Sequence, residues 1–157
     1  MRRAFGSSFY SVLALSLALG FAGNVAAQVS YAYSRTVVID HTKVPNSDQA
    51  NFPLLFSVTD PLLKTVANGG HVTNASGYDI IFTADAAGTQ KLNHEIESYD
   101  PVTGQFTAWV QAPAVSHSAD TVIYLFYGND SITTSQENKT GVWDSNYKFV
   151  QHLSDGA

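Results

Sequence analysis

Two glutamates, Glu95 and Glu97, stand two residues apart in the run QKLNHEIESY, residues 90–99. In an extended strand such positions share a face and lie about 6.6–6.8 Å apart along the chain. Two carboxylates at that separation suit an inverting glycosidase, one as acid and one as base. That chemistry needs surroundings that drive the two pKa values apart. The same segment carries Lys91 and Asn93, a polar, wet setting that supplies no desolvation. The pair therefore reads as a solvated face, and no catalytic residue is assigned.

Trp109 offers different chemistry. In QFTAWVQA, residues 105–112, Phe106, Ala108 and Val110 form the apolar face, and Trp109 lies opposite with Gln105, Thr107 and Gln111. Asp100-Pro101-Val102-Thr103-Gly104 has hairpin-loop composition. If that hairpin pairs Tyr99 with Gln105, then Glu97 faces Thr107 and Glu95 faces Trp109. The outer face would display Tyr99, Trp109, Glu95, Glu97 and Gln111. An aromatic platform beside acceptors and an amide can stack on a sugar ring and bond its hydroxyls. The competing expectation is that Trp109 packs under another strand or against a neighbouring domain, because an exposed large aromatic usually meets something.

Other constellations are weak. His41, His71, His94, His117 and His152 are scattered, without the short spacing of a metal site. His94, between Leu92 and Ile96, is expected to be a hydrogen-bonded histidine of the core or its boundary. Asp79, Asp85 and Asp100 flank strands or turns, where aspartate bonds the local backbone. No run matches a calcium loop. The absence of cysteine rules out disulfides and thiolate metal sites. There is no nucleophile-elbow or phosphate-loop motif. No cofactor and no metal are expected.

The elements that would position these residues are short β-branched and aromatic runs separated by turn residues. Strands are expected at residues 34–40, 52–58, 78–83, 90–99, 105–112 and 121–127. In the second, Phe52, Leu54, Phe56 and Val58 share a face, and Pro53 should lie near a sheet edge. Asp60-Pro61 should open a short helix that Asn68-Gly69-Gly70 ends. TVIYLFY, residues 121–127, is apolar on both sides, as in a central strand buried on both faces. This pattern predicts an all-β antiparallel sandwich with one short helix, its strand order open between jelly-roll and immunoglobulin-like. Residues 131–157 read as a polar, irregular tail apart from Val142-Trp143.

Residues 1–27 read as a cleavable signal peptide: Arg2-Arg3, then apolar Val12 to Ala22, then Val25-Ala26-Ala27. The apolar run is shorter than the roughly 20 residues of a membrane span, and no lipidation cysteine comes after it. The secretory route is favoured over the twin-arginine one, because the hydroxyl residue usual before the arginines is missing. The mature chain, with Arg35 and five lysines against 13 acids, argues against nucleic acid and anionic membrane surfaces. The expected location is periplasmic, cell-surface or extracellular. The domain plan is a sandwich over residues 28–130 and a tail over 131–157. The stop at Asp155-Gly156-Ala157 suggests continuation into a further domain.

Three segments, YDIIFTADAAGTQKLNHEIESYD, WVQAPAVSHSADTVIYLFYGN and NKTGVWDSNYKFVQHL, resemble the exported bacterial family of domains of unknown function numbered 2341. The resemblance spans roughly Tyr31 to Leu153. It implies a β-sandwich module of large secreted or envelope proteins, often preceding a laminin-G or concanavalin-like lectin domain, and some members stand beside proton-channel-type proteins. It supplies no catalytic residues. It implies that Trp143 and Tyr147 dock on such a downstream domain, although Gln151 replaces the tryptophan common before the His152-Leu153 pair. The expected function is a non-catalytic exported module supporting glycan or cell-surface binding. A purely structural spacer is the alternative, and a carbohydrate-active enzyme the third reading.

Overall fold

A computed structural model of the chain describes residues 31–143, 147 and 150. The expected signal peptide, the His152-Leu153 pair and the Asp155–Ala157 end lie outside the described residues. In chain order the strands are β1 (Tyr33–Ile39), β2 (Gln49–Thr59), β3 (Ile81–Thr83), β4 (His94–Asp100), β5 (Gln105–Val115) and β6 (Thr121–Tyr127), with one short helix, α1 (Lys139–Val142), after them.

The strands form two antiparallel sheets, ordered β1-β6-β3 and β2-β5-β4. β5 and β6, the central strands, bury alternate residues over most of their length, as a half-covered pleat requires. Phe82, Ile123 and Leu125 come from the first sheet and Phe106, Ala108 and Val110 from the second, all within one apolar core. The Phe82 ring meets Phe56 edge-on at 5.4 Å and stacks near Phe106 at 6.3 Å, tying the two layers together. This is an all-β sandwich. Pro53 lies in β2, an edge strand of its sheet, the position that a residue without an N–H tolerates.

Three sequence expectations are corrected. The stretch after Asp60 is two separate 3-10 turns, Pro61–Leu63 and Val66–Asn68, rather than one helix. Asp60 does cap the first, accepting from Leu62 N at 2.9 Å, and Gly69 (φ 85°) ends the second. Between them the backbone bonds to tertiary partners: Thr65 N donates to Pro101 O and Val66 N to Val72 O, which leaves no helical ladder to continue. Strand β6 is central, but only its inward residues Ile123, Leu125 and Tyr127 are buried. Its outer face is half covered, with Tyr31 edge-on to Phe126 and Val122 exposed. Leu54, Phe56 and Val58 pack on the core as expected, whereas Phe52 stays exposed.

Asp79 is buried completely and works over a longer range than a turn residue. Its Oδ2 accepts from Thr73 N and Thr73 Oγ1, both at 2.8 Å, and its Oδ1 from Asn74 N at 2.9 Å. Oδ2 also receives Gly128 N at 3.2 Å and Asn129 N at 3.3 Å. One carboxylate thus ties the loop before β3 to the end of β6.

Candidate functional site

The outer face of the second sheet carries Glu95, Trp109 and their neighbours. Glu95 is registered opposite Trp109, and Gln111 lies two residues along β5 on the same face. Between Ile96 and Ser98 the register shifts: Glu97 is the extra residue of a bulge, which puts two residues of β4 opposite one of β5. The consequence falls on Tyr99. It pairs with Phe106 instead of Gln105, turns inward, meets the Phe106 ring edge-on at 6.1 Å and donates its hydroxyl to Leu63 O at 2.7 Å. Tyr99 therefore packs, partly buried, against the core and leaves the outer platform, because a one-residue slip reverses every later side chain. Its hydroxyl is pushed above the ordinary tyrosine value by burial first and then by the charge of Asp79.

The tail supplies the rest. Gln136, Glu137 and Asn138 run beside β4 and the residue Lys91 before it, and α1 packs over β4 and β5. Asn138 caps α1, its Oδ1 accepting from Gly141 N at 3.2 Å. Asn138 N donates to His94 O at 3.0 Å, and Ile96 N donates to Glu137 Oε1 at 2.8 Å. Both are groups on the exposed edge of β4, so the tail closes that edge. Asn93 joins the layers: its Nδ2 donates to Gln111 Oε1 at 2.9 Å and Gly141 O at 3.2 Å, and its Oδ1 accepts from Asn138 Nδ2 at 2.9 Å.

On this base an aromatic cluster forms. Trp109 and Trp143 lie 5.2 Å apart at 56°, and Trp143 meets Tyr147 edge-on at 5.1 Å. Each indole N–H finds a different glutamate: Trp143 Nε1 donates to Glu95 Oε2 at 3.1 Å, and Trp109 Nε1 to Glu97 Oε2 at 2.9 Å. Glu95 is only 8% exposed and has Lys139 Nζ at 3.8 Å. The expectation that Glu95 lies on a wet face is thereby corrected: the returning tail, invisible to strand alternation, covers it. The structure brings Glu95, Glu97, Trp109, Gln111, Trp143 and Tyr147 together. Trp143 packs against this sheet, within the chain itself, and Tyr147 meets Trp143. Chemically, the two carboxylates here accept indole N–H groups and orient the rings.

His94 lies beneath this face, fully buried, with its ring 5.8 Å from Phe82 and Nδ1 3.4 Å from Leu92 O. Burial, and secondarily Lys91, hold its pKa below the ordinary value against the opposing Leu92 carbonyl and Glu137. The folded state therefore prefers neutral His94, while the unfolded chain takes up the proton near pH 6.5. Its contribution to stability is full above that pH and declines as pH falls toward the folded value, by at most about 1.4 kcal/mol per unit. Urea midpoints at successive pH values for the wild type and His94→Leu check this. The wild type should lose more stability below neutrality than the variant, and parallel curves would refute it.

The histidines are less scattered in space than in sequence. Asp40, His41 and Asp120 present ligand atoms within 4.8 Å of one another. Hydrogen bonds already account for this group: Asp120 Oδ1 accepts from His41 N at 3.0 Å and sits 2.6 Å from Nδ1. A second pair is reciprocal, with Asp48 Oδ1 accepting from His117 N at 2.9 Å and lying 2.7 Å from its ring. The loop after β1 and the loop before β6 so exchange one histidine and one aspartate each. Bonds from the partner histidine hold Asp48 and Asp120 below the usual carboxylate range.

Sequence reasoning missed Asp79 and the tail's closure of β4. The signal for Asp79 was an acid set within the apolar run YDIIF; Asn138, a capping residue before Lys139-Thr140-Gly141-Val142, was the signal for the tail.

Residues 76–154 match the model of a family described as a domain of unknown function (DUF2341). The match covers β3 to β6 and the returning tail, the parts that build the outer face. No curated protein and no solved structure matches.

Proposed function

From the premise that the chain belongs to the DUF2341 family, we propose a non-catalytic structural module of a larger exported protein, whose outer sheet face orders the chain leaving the sandwich. One observation carries this: the returning tail seats Trp143 on Trp109 and on the buried Glu95. A face built to hold its own tail at a fixed place serves a spacer that sets the direction of the next domain. Of the residues first suited to a sugar platform, Glu95, Glu97 and Trp109 are engaged in that packing, with each carboxylate held by an indole N–H.

Trp143→Ala tests the proposal. Removing a half-buried indole and its bond to Glu95 should lower stability by about 2 kcal/mol. It should also shift Trp109 emission to the red as water reaches that ring. Urea unfolding and fluorescence of the variant read both. Unchanged stability with unchanged emission would mean that the tail is no part of the module. Polysaccharide hydrolysis abolished by Glu97→Gln would overturn the non-catalytic reading.

A further inference from the structure

A second feature lies away from the outer sheet face, where β1 begins and β6 ends. A cleft of about 480 Å3 is lined there by Tyr33, Gly70, His71, Thr73, Gly128 and Asp130. Its volume lies within the range of small-ligand sites. We propose that this cleft binds a neutral saccharide ring.

The walls are preformed. Tyr33 stacks with His71 at 4.1 Å and 8° and with Tyr127 at 5.5 Å and 20°, so His71 is an outer ring of a three-ring stack. Gly128, at φ 82°, lets Tyr33 lie against the backbone: a Cβ there would fall 2.6 Å from the tyrosine ring. The Asp79 carboxylate fixes Thr73 on one wall and Gly128 on the other. Neither wall must be ordered when a ligand enters, which removes a usual penalty of binding.

The lining chemistry selects the ligand. An imidazole ring offers a flat surface for the C–H face of a pyranose, and its nitrogens serve hydroxyls in either direction. Thr73 Oγ1 donates its proton to Asp79, so toward the cleft it can only accept. Asp130, exposed at the rim, accepts from sugar hydroxyls. An acceptor-rich site with a carboxylate at its mouth and another behind its wall repels anions. Both neighbours of the Tyr33 ring are aromatic, which leaves no open tyrosine face for a cation.

The cleft lies apart from the tail-bearing face: Trp143→Ala reads stability, whereas a sugar titration reads occupancy. The 15N-labelled chain is titrated with methyl glycosides of glucose, galactose, mannose and N-acetylglucosamine and with their short oligomers, and monitored by amide NMR. Saturable shifts are expected at Gly70, His71, Thr73 and Gly128, with Kd of about 1 mM. Asp130→Asn and His71→Ala should each weaken binding about tenfold. Asp130→Asn alters only the rim, so it reads the site even if His71→Ala disturbs the stack. Shifts centred on the Trp109 and Trp143 indole N–H groups would overturn the cleft as the site. Absence of saturable shifts with every sugar, or an undiminished affinity in Asp130→Asn, would overturn it equally.

Discussion

Asp79→Ala should destabilise the domain by about 4 kcal/mol, a large share of the roughly 5–15 kcal/mol available to a fold of this kind. The carboxylate is fully buried and receives four backbone N–H groups and one hydroxyl. Truncation leaves those donors without an acceptor, and a buried donor left unsatisfied costs about 1–3 kcal/mol. The Thr73–Asn74 loop relaxes toward water and recovers part of this, so the whole is smaller than the sum. Asp79→Asn is the sharper variant. Its shape is nearly unchanged, but one of its two terminal atoms becomes a donor facing donors, so it should lose about 3 kcal/mol. Urea unfolding monitored by tryptophan emission measures both. A loss below about 1 kcal/mol in the alanine variant would show that the loop and the end of β6 are held together by something other than this group.

Gly104→Ala is the second large effect. Gly104 closes the β4–β5 hairpin with φ 75° and is packed back to back with Asp60, whose N–H donates to Gly104 O at 3.0 Å. A Cβ at this position would lie 2.1 Å from Asp60 O and 3.0 Å from Lys64 N. Both obstacles are backbone, so no rotamer change relieves them, and the hairpin must separate from the 3-10 turn after Asp60. Gly69 gives the comparison. It has φ 85° with nothing within 4 Å of the added carbon, so Gly69→Ala should cost only the left-handed conformation, about 1 kcal/mol. Gly104→Ala should cost about 3 kcal/mol beyond that. Equal losses in thermal or urea unfolding would mean that the hairpin is free to move away from Asp60.

Much of this architecture is legible in the residues. Alternation placed Phe106, Ala108 and Val110 inward and Trp109 outward; the expected Tyr99–Gln105 closure was one residue off, and Glu95 still meets Trp109 because the bulge at Glu97 offsets that slip. Alternation failed at Glu97 because a bulge has no composition of its own: one inserted residue reverses the pleat, and Tyr99 turned from the surface toward the core. The site was legible as a set of residue types and opaque as an arrangement. Glu95 reads as solvated from its strand alone, and its burial comes from Trp143 and Lys139, more than forty residues later. The cleft of Tyr33, His71 and Asp130 draws on three distant segments, and nothing local to any one of them announces the meeting.

The closure of β4 by Glu137 and Asn138 has a consequence for how these chains behave when crowded. A sheet border that offers free N–H and C=O groups is a template on which another chain can polymerise. The β2 border is interrupted by Pro53, which has no N–H, and by Asn51 at φ 51°. The β4 border is kinked at the Glu97 bulge, and the tail occupies His94 O and Ile96 N beside it. Proteolytic removal of the chain beyond Asn129 should expose those groups to a second chain, and light scattering of the concentrated fragment should rise faster than that of the full chain.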